Sequence, residues 1–228
     1  MEFLTSSLLL SVPGLSHGFG QRVAGSRSVG REAAQTAFSK SGDVFFLKQV
    51  HGCAAVSPPW TDPPEADASF TGTGGFLLGI ETADCLPVLI VDPTHRRVAA
   101  AHAGWRGTAA GVCQEAVQAL VEAGSDPKHL LASLGPAIGP CCYEVGADVE
   151  GAFGPARAKF FVQAGTSPRK HLDVVAANRA QLEAAGLIST NIDSIGLCTR
   201  CRADLFFSYR RDGTSAGRMI SVVGFAKS

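Results

Sequence analysis

His51, Cys85 and His102 are the residues of this chain best suited to bind a metal. Two imidazoles and a thiolate form a tight set for zinc or copper. Three protein ligands leave a fourth position for water, which is how catalytic sites are built and structural ones are not. Each of the three stands at the expected end of a strand. His51 closes the β-rich run 44–50, Cys85 opens 86–91, and His102 closes 97–101. A rigid sheet presents strand ends to a cleft. The long separations match no compact zinc motif, so the fold must bring the three together. The plain alternative makes the histidines hydrogen-bonded and half-buried, with Cys85 in the core.

Arginines form a second thread. Arg106 precedes a helical pattern starting at Thr108, where its side chain and free backbone amides suit an anion. Arg210-Arg211 end an expected strand at 205–210, before Asp212-Gly213. Arg22 follows Gly18-Phe19-Gly20 in an N-terminal loop. Phosphate prefers arginine forks. The plain reading of each is a solvated surface charge.

Seven cysteines are an odd number in a mid-sized chain, unlike a disulfide scaffold. Cys53 and Cys113 read as small buried apolar side chains. Cys198-Thr199-Arg200-Cys201 is a C-x-x-C, and Cys141-Cys142 are adjacent. Together they raise a second metal site or a redox pair. Divergent side chains on adjacent residues argue against the former, and the absence of a thioredoxin-like βαβ pattern against the latter.

The elements that must position these groups follow from periodicity. Apolar runs 76–82, 86–91 and 97–101 are strand length, separated by Gly or Asp-Pro breaks. Helical spacing predicts helices over 108–123, capped by Thr108 and Gly124, over 145–153 and over 172–185. Further strands are expected at 130–134, 194–198, 205–210 and 218–225, and the first 15 residues begin with a strand. Residues 57–66 hold four prolines and read as a surface loop. Strands cluster before and after the helices, which argues for α+β over a doubly wound sheet. One domain over 1–228 is expected, with no internal repeat.

Twenty Lys and Arg balance twenty Asp and Glu, so the basic excess of a nucleic-acid binder is missing. The longest apolar runs fall far short of the about 20 residues of a membrane span. Glu2 stands where a signal peptide needs positive charge, and no cleavage site follows, so a cytoplasmic location is expected.

Five segments assemble into a pattern: Gln49-Val50-His51-Gly52, Thr82-Ala83-Asp84-Cys85-Leu86-Pro87-Val88, Ala101-His102-Ala103-Gly104-Trp105-Arg106-Gly107, Leu134-Gly135-Pro136-Ala137-Ile138-Gly139-Pro140-Cys141, and Leu205-Phe206-Phe207-Ser208-Tyr209-Arg210-Arg211-Asp212. In this order, over residues 15 to 220, the chain strongly resembles the polyphenol oxidase, or laccase-domain, family of purine nucleoside phosphorylases with adenosine deaminase activity. In the N-terminal loop it departs from the family: Gly20-Gln21-Arg22-Val23-Ala24-Gly25 stands where an aromatic-Thr-Arg followed by Gly-Gly is common. Six histidines are too few for the copper set of a blue multicopper oxidase, although single-copper oxidation is not excluded by counting.

The resemblance implies an α/β/β/α layered sandwich, related to the deamidase domain of cytotoxic necrotizing factor. It implies that His51, Cys85 and His102 bind the metal, with zinc expected and copper the alternative. The implied substrates are adenosine, inosine, guanosine and methylthioadenosine with inorganic phosphate, plus adenosine for deamination. Metal-activated water would attack C6 of adenine. Asp84 is the candidate acid, or else fixes a ligand histidine. Trp105, Phe206 or Phe207 could stack on the purine. Arg211 is chosen over Arg210 for phosphate, since alternation on a strand puts only one of them in the cleft, with Arg22 and Arg106 next. The competing readings are a metal-free hydrolase, with Cys85 as nucleophile and His102 as base, and a scaffold with a structural metal.

Overall fold

The computed structural model describes residues 2–23, 27–163 and 169–227. In chain order its strands are β1 (Phe3–Leu4), β2 (Leu15–Gly20), β3 (Asp43–Phe46), β4 (Ala55–Val56), β5 (Ala68–Thr71), β6 (Phe76–Thr82), β7 (Leu86–Asp92), β8 (Arg97–Ala103), β9 (Leu131–Leu134), β10 (Phe161–Gln163), β11 (Lys170–Leu172), β12 (Ile192–Ser194) and β13 (Met219–Phe225). The α-helices are α1 (Ser7–Leu10), α2 (Arg27–Phe38), α3 (Trp105–Ala110), α4 (Val112–Glu122), α5 (Ala147–Phe153), α6 (Val174–Ala184) and α7 (Tyr209–Asp212).

Two mixed sheets form the centre. The first has the order β1-β2-β13-β6-β3, the second β12-β9-β7-β8-β5-β4, and β10-β11 form a small ribbon. Side-chain alternation assigns each strand two apolar faces. Leu78 and Ile80 of β6, Leu89 and Val91 of β7, Val98 and Ala100 of β8, and Val223 and Phe225 of β13 pack between the sheets. The opposite residues of β7 and β8, including Val88, Ile90, Ala99 and Ala101, join Val112, Ala116, Val117 and Leu120 of α4 in an outer core. On the other side Leu77, Ile220 and Val222 meet Ala34 of α2. The layers are therefore helix, sheet, sheet, helix, as expected of this α+β chain. No helix among the described residues is long and apolar enough to cross a membrane.

The central strands lie where their periodicity places them, and the differences have local causes. The helix expected over 108–123 is two helices that start at Trp105, broken at Gly111, whose φ of 89° is left-handed. Thr108 is not a cap; it is buried and accepts a hydrogen bond from Asn178. The third predicted helix starts at Val174, because the Asp173 carboxylate accepts from the Ala176 N–H and caps it. The opening segment is a two-residue strand followed by helix α1, with Ser6 accepting from Leu9 N–H. β12 ends at Ser194, two residues before Gly196 turns left-handed with φ 69°.

The strand expected at 205–210 does not exist. Phe206 is fully buried, but Ser208 turns the chain into α7 by accepting from the Arg211 N–H at 3.2 Å. The alternation argument for Arg210 and Arg211 fails with it.

Candidate metal centre and its cleft

The trio of candidate ligands, His51, Cys85 and His102, sits on the seam between the two sheets. Thr82 ends β6 in the first sheet and Leu86 opens β7 in the second, so Ala83-Asp84-Cys85 is the crossover. His102, near the end of β8, lies opposite Pro87 of β7. His51 lies beyond β3, on a loop that Gln49 ties down. The Gln49 side chain donates to Glu81 O at 2.8 Å and accepts from Glu81 N–H at 2.9 Å, imitating a strand partner for β6.

The structure brings the three residues together. Cys85 Sγ lies 4.0 Å from His51 Nε2, and one ligand atom from each residue falls within 4.8 Å of the others. His102 is buried, Cys85 half-buried and His51 exposed, so the trio opens to solvent on the His51 side. Gly104 makes the room. A Cβ there would stand 3.0 Å from both Cys85 Sγ and His51 Cδ2.

Asp67, which the sequence reading missed, organises both histidines. Its fully buried carboxylate accepts from His102 Nδ1 at 2.7 Å and from the backbone N–H groups of Val50, His51 and Gly52 at 3.1, 2.9 and 2.7 Å. These bonds hold His51 in its left-handed turn, φ 64°, and leave His102 Nε2 for a ligand. The signal was present in the sequence: an acid framed by alanines in Ala66-Asp67-Ala68 at the start of a buried strand.

The electrostatics follow. Burial opposes ionisation of Cys85, but the charges and hydrogen bonds of His102 and His51 outweigh it and lower the thiol to about 6. Burial likewise opposes a charged His102, yet the Cys85 thiolate and Asp67 raise it to about 9. Burial pushes the Asp67 carboxyl up; the His102 and Gly52 hydrogen bonds more than offset this and hold it below its ordinary range. The metal-free site is a thiolate–imidazolium pair backed by a carboxylate.

The trio opens into a cavity of about 500 Å³, a ligand-sized volume. Trp105, Tyr143 and Ile138 give it flat and apolar walls, and Arg106, Arg210 and Arg218 give it positive charge. Arg106 lies over the Trp105 ring, 4.3 Å from its centroid. Arg210 lies over Tyr143 at 5.3 Å and donates to Glu144 O at 2.8 Å. Arg218 and Glu81 also line the cavity, and both escaped the sequence reading. Glu81 is buried and pairs with Arg31 at 2.6 Å.

Three expectations for the site need correction. Arg211 faces away from the cavity: its five N–H groups are matched by two bonds to Asp212 and one each to Thr199 O, Arg200 O and Phe206 O. Arg22 is outside the cavity too, donating to Ala203 O at 2.6 Å and stacked over Phe207; Ala24 and Gly25 of its loop lie outside the described residues. Asp84 does reach the cavity edge, but its carboxylate already accepts from Thr199 Oγ1, Ser208 Oγ and Arg210 N–H at 2.6, 3.0 and 2.6 Å. It buckles the crossover to two distant loops and is not poised as an acid. Of the aromatic candidates, Phe206 is core and Phe207 lies under Arg22, which leaves Trp105.

Residues 20–226 match the family model described as multi-copper polyphenol oxidoreductase laccase. The chain belongs to that family. Relatives in it carry enzyme names. A purine nucleoside phosphorylase of Deinococcus radiodurans is 40 % identical over 86 % of this chain and 76 % of its own length. An adenosine deaminase from an unknown prokaryotic organism is 39 % identical over 77 % of this chain and 72 % of its own. Among solved structures of the family fold, YlmD from Geobacillus stearothermophilus superposes with a TM-score of 0.85 at 30 % identity, covering 95 % of this chain and 93 % of that one. The family description names several coppers; the ligand set in this cleft is one His-Cys-His trio.

Proposed function

We propose that this chain is a zinc-dependent purine nucleoside phosphorylase that also deaminates adenosine. One arrangement carries the reading: the His51, Cys85 and His102 donors open into the same cavity as Arg106, Arg210 and Arg218. A metal set and an anion set share one ligand-sized space, next to the flat face of Trp105. The names borne by the relatives support the same chemistry.

The residues fit zinc. The donors are one thiolate and two imidazoles, the thiol ionises near neutrality without any metal, and Gly104 leaves the space between ligands open. Bound there, the metal supplies Lewis acidity and makes a water acidic enough to act as a nucleophile. Asp67 fixes the ring of His102 so that Nε2 faces the cleft. In phosphorolysis Arg210, helped by Arg106 and Arg218, holds the phosphate dianion. A phosphate oxygen bonds to C1′ of the ribose while the bond from C1′ to the purine breaks, and the purine leaves with the electron pair and takes up a proton. In deamination, water oxygen bonds to C6 while the bond from C6 to the amino nitrogen breaks; one proton of the water leaves with that nitrogen as ammonia and the other ends on N1 of the ring. Adenosine, inosine, guanosine and methylthioadenosine are the proposed phosphorolysis substrates.

Product analysis on adenosine tests this. Free adenine should form only with inorganic phosphate present, and inosine with or without it. No product from any of the four nucleosides would overturn the reading. A second reading, a metal-free cysteine hydrolase, draws on the relay Cys85–His102–Asp67 and its ion pair. It needs no His51. A chelator abolishes activity under the first reading and spares it under the second.

A further inference from the structure

The cysteines that the cleft does not use converge elsewhere. Cys141, Cys142, Cys198 and Cys201 bring four sulfurs within 4.8 Å of one another. We propose that these four thiolates form a second, structural zinc site.

The distances carry the argument. Four sulfurs around zinc at about 2.3 Å stand about 3.8 Å apart along each edge of the tetrahedron. Cys141 and Cys201 Sγ are 3.7 Å apart, and Cys142 and Cys201 Sγ 3.4 Å. No pair is bonded as a disulfide; all seven cysteines are free. A tetrahedral all-sulfur set selects zinc or iron over harder cations, and four protein ligands leave no open position.

Adjacency of Cys141 and Cys142 is no obstacle in this backbone. The N–H groups of Cys142 and Tyr143 both donate to Gly139 O, at 2.9 and 3.0 Å, so the segment is a helical turn. Neighbours on such a turn are about 100° apart instead of the 180° of a strand, and both sulfurs reach one side. Gly139 packs against both cysteine pairs: a Cβ there would stand 3.4 Å from Cys141 Sγ and 3.5 Å from Cys198 Cβ, ordinary contact distances.

Backbone donors gather on the first sulfur of the second pair. Gly139 N–H donates to Cys198 Sγ at 3.3 Å, and the N–H groups of Arg200 and Cys201 point at the same sulfur. Three backbone N–H groups thus surround the sulfur that opens the C-x-x-C turn. The Arg200 side chain hydrogen-bonds the Cys142 sulfur, offsetting part of the negative charge of a four-thiolate centre.

The position gives the site its purpose. Ile138 and Tyr143 flank the Cys141-Cys142 turn, and both line the cavity. Thr199, inside the C-x-x-C, is fully buried and donates to Asp84 beside Cys85. Zinc at the four cysteines would tie the turn between Ile138 and Tyr143 to the segment whose Thr199 holds Asp84, about 60 residues further along the chain.

The test separates this zinc from any metal in the cleft. In a His51→Ala/Cys85→Ser double variant, one zinc per chain should remain, and X-ray absorption should report four sulfurs at about 2.3 Å. In an otherwise unchanged chain, Cys141→Ser/Cys201→Ser should lower zinc by one equivalent. If that variant fails to fold, thiol titration of the unaltered protein should release one zinc as these four cysteines react. The site is refuted if the cleft double variant retains no metal, if it retains iron, or if alkylation and mass spectrometry of the isolated protein find a disulfide among the four.

Discussion

Asp67 and His102 are joined twice. The carboxylate Oδ1 accepts from the imidazole Nδ1, and the backbone O of Asp67 accepts from the His102 N–H, both at 2.7 Å. The ring is therefore fixed in position by the strand pairing and in orientation by the side chain.

Asp67→Asn keeps the shape and removes the charge. Loss of an outer partner of this kind costs about 10–100-fold in metal affinity. A competition titration against a zinc chelator should show a fall in that range, with the folded circular dichroism spectrum unchanged. Unaltered affinity would mean that the carboxylate only packs.

Arg210→Lys keeps a charge in the cavity but loses the fork. A charge-assisted hydrogen bond is worth about 1.5–3 kcal/mol, so the phosphate KM should rise about ten- to a hundredfold while deamination of adenosine is spared. Arg211→Lys should instead lower the melting temperature, since it breaks contacts that tie α7 to the Thr199-Arg200 turn. Steady-state kinetics and a thermal melt on both variants check the assignment; a phosphate effect confined to Arg211→Lys would reverse it.

Gly104→Ala tests the space between ligands. The backbone φ of −74° tolerates alanine, so only the new methyl matters. It would press on Cys85 Sγ and His51 Cδ2 together. Metal content after purification should fall well below one equivalent at the cleft, while the metal-free variant and the metal-free unaltered protein should melt at similar temperatures.

The ion pair predicts the pH dependence of the metal-free site. Cys85 ionises at about 6 against an ordinary 9.0, and His102 holds its proton to about 9 against an ordinary 6.5. The depressed thiol adds stability that is present above 9.0 and lost as pH falls through about 6. The raised imidazole adds stability that is present below 6.5 and lost as pH rises through about 9. The two coexist between about 6 and 9. Alkylation of Cys85 in stripped protein should stay fast down to about pH 6, and zinc should suppress it. An alkylation midpoint near 9 would disprove the pairing.

Cys85 and His102 were legible because strand ends are marked by local breaks, the Asp84 before Cys85 and the Gly104 after His102; His51 was read as the close of a strand over 44–50, but β3 ends at Phe46 and His51 stands on the loop beyond it. Asp67 was not, because its four donors come from residues 50–52 and 102 and meet only in the fold. The Leu-Phe-Phe-Ser-Tyr run has strand composition, but Asp84, over a hundred residues away, draws in Ser208 and the Arg210 N–H and overrides it. Arg210 therefore reached the cavity against a correct rule applied to an absent strand. The convergence of Cys141 and Cys142 with Cys198 and Cys201 was not legible either, because it depends on the turn in which Cys142 N–H and Tyr143 N–H donate to Gly139 O.

The crossover at Ala83-Asp84-Cys85 has a thermodynamic consequence. The His51 loop follows a strand of one sheet, His102 belongs to the other, and Cys85 lies on the link between them. The donor set exists only while the sheets are face to face, so the unfolded chain presents no comparable site. Any ion that binds only the folded form raises its stability by mass action, by about 2.7 kcal/mol when its free concentration is a hundred times its dissociation constant. For a cleft that takes up zinc, the expected outcome is a melting temperature that rises with free zinc concentration.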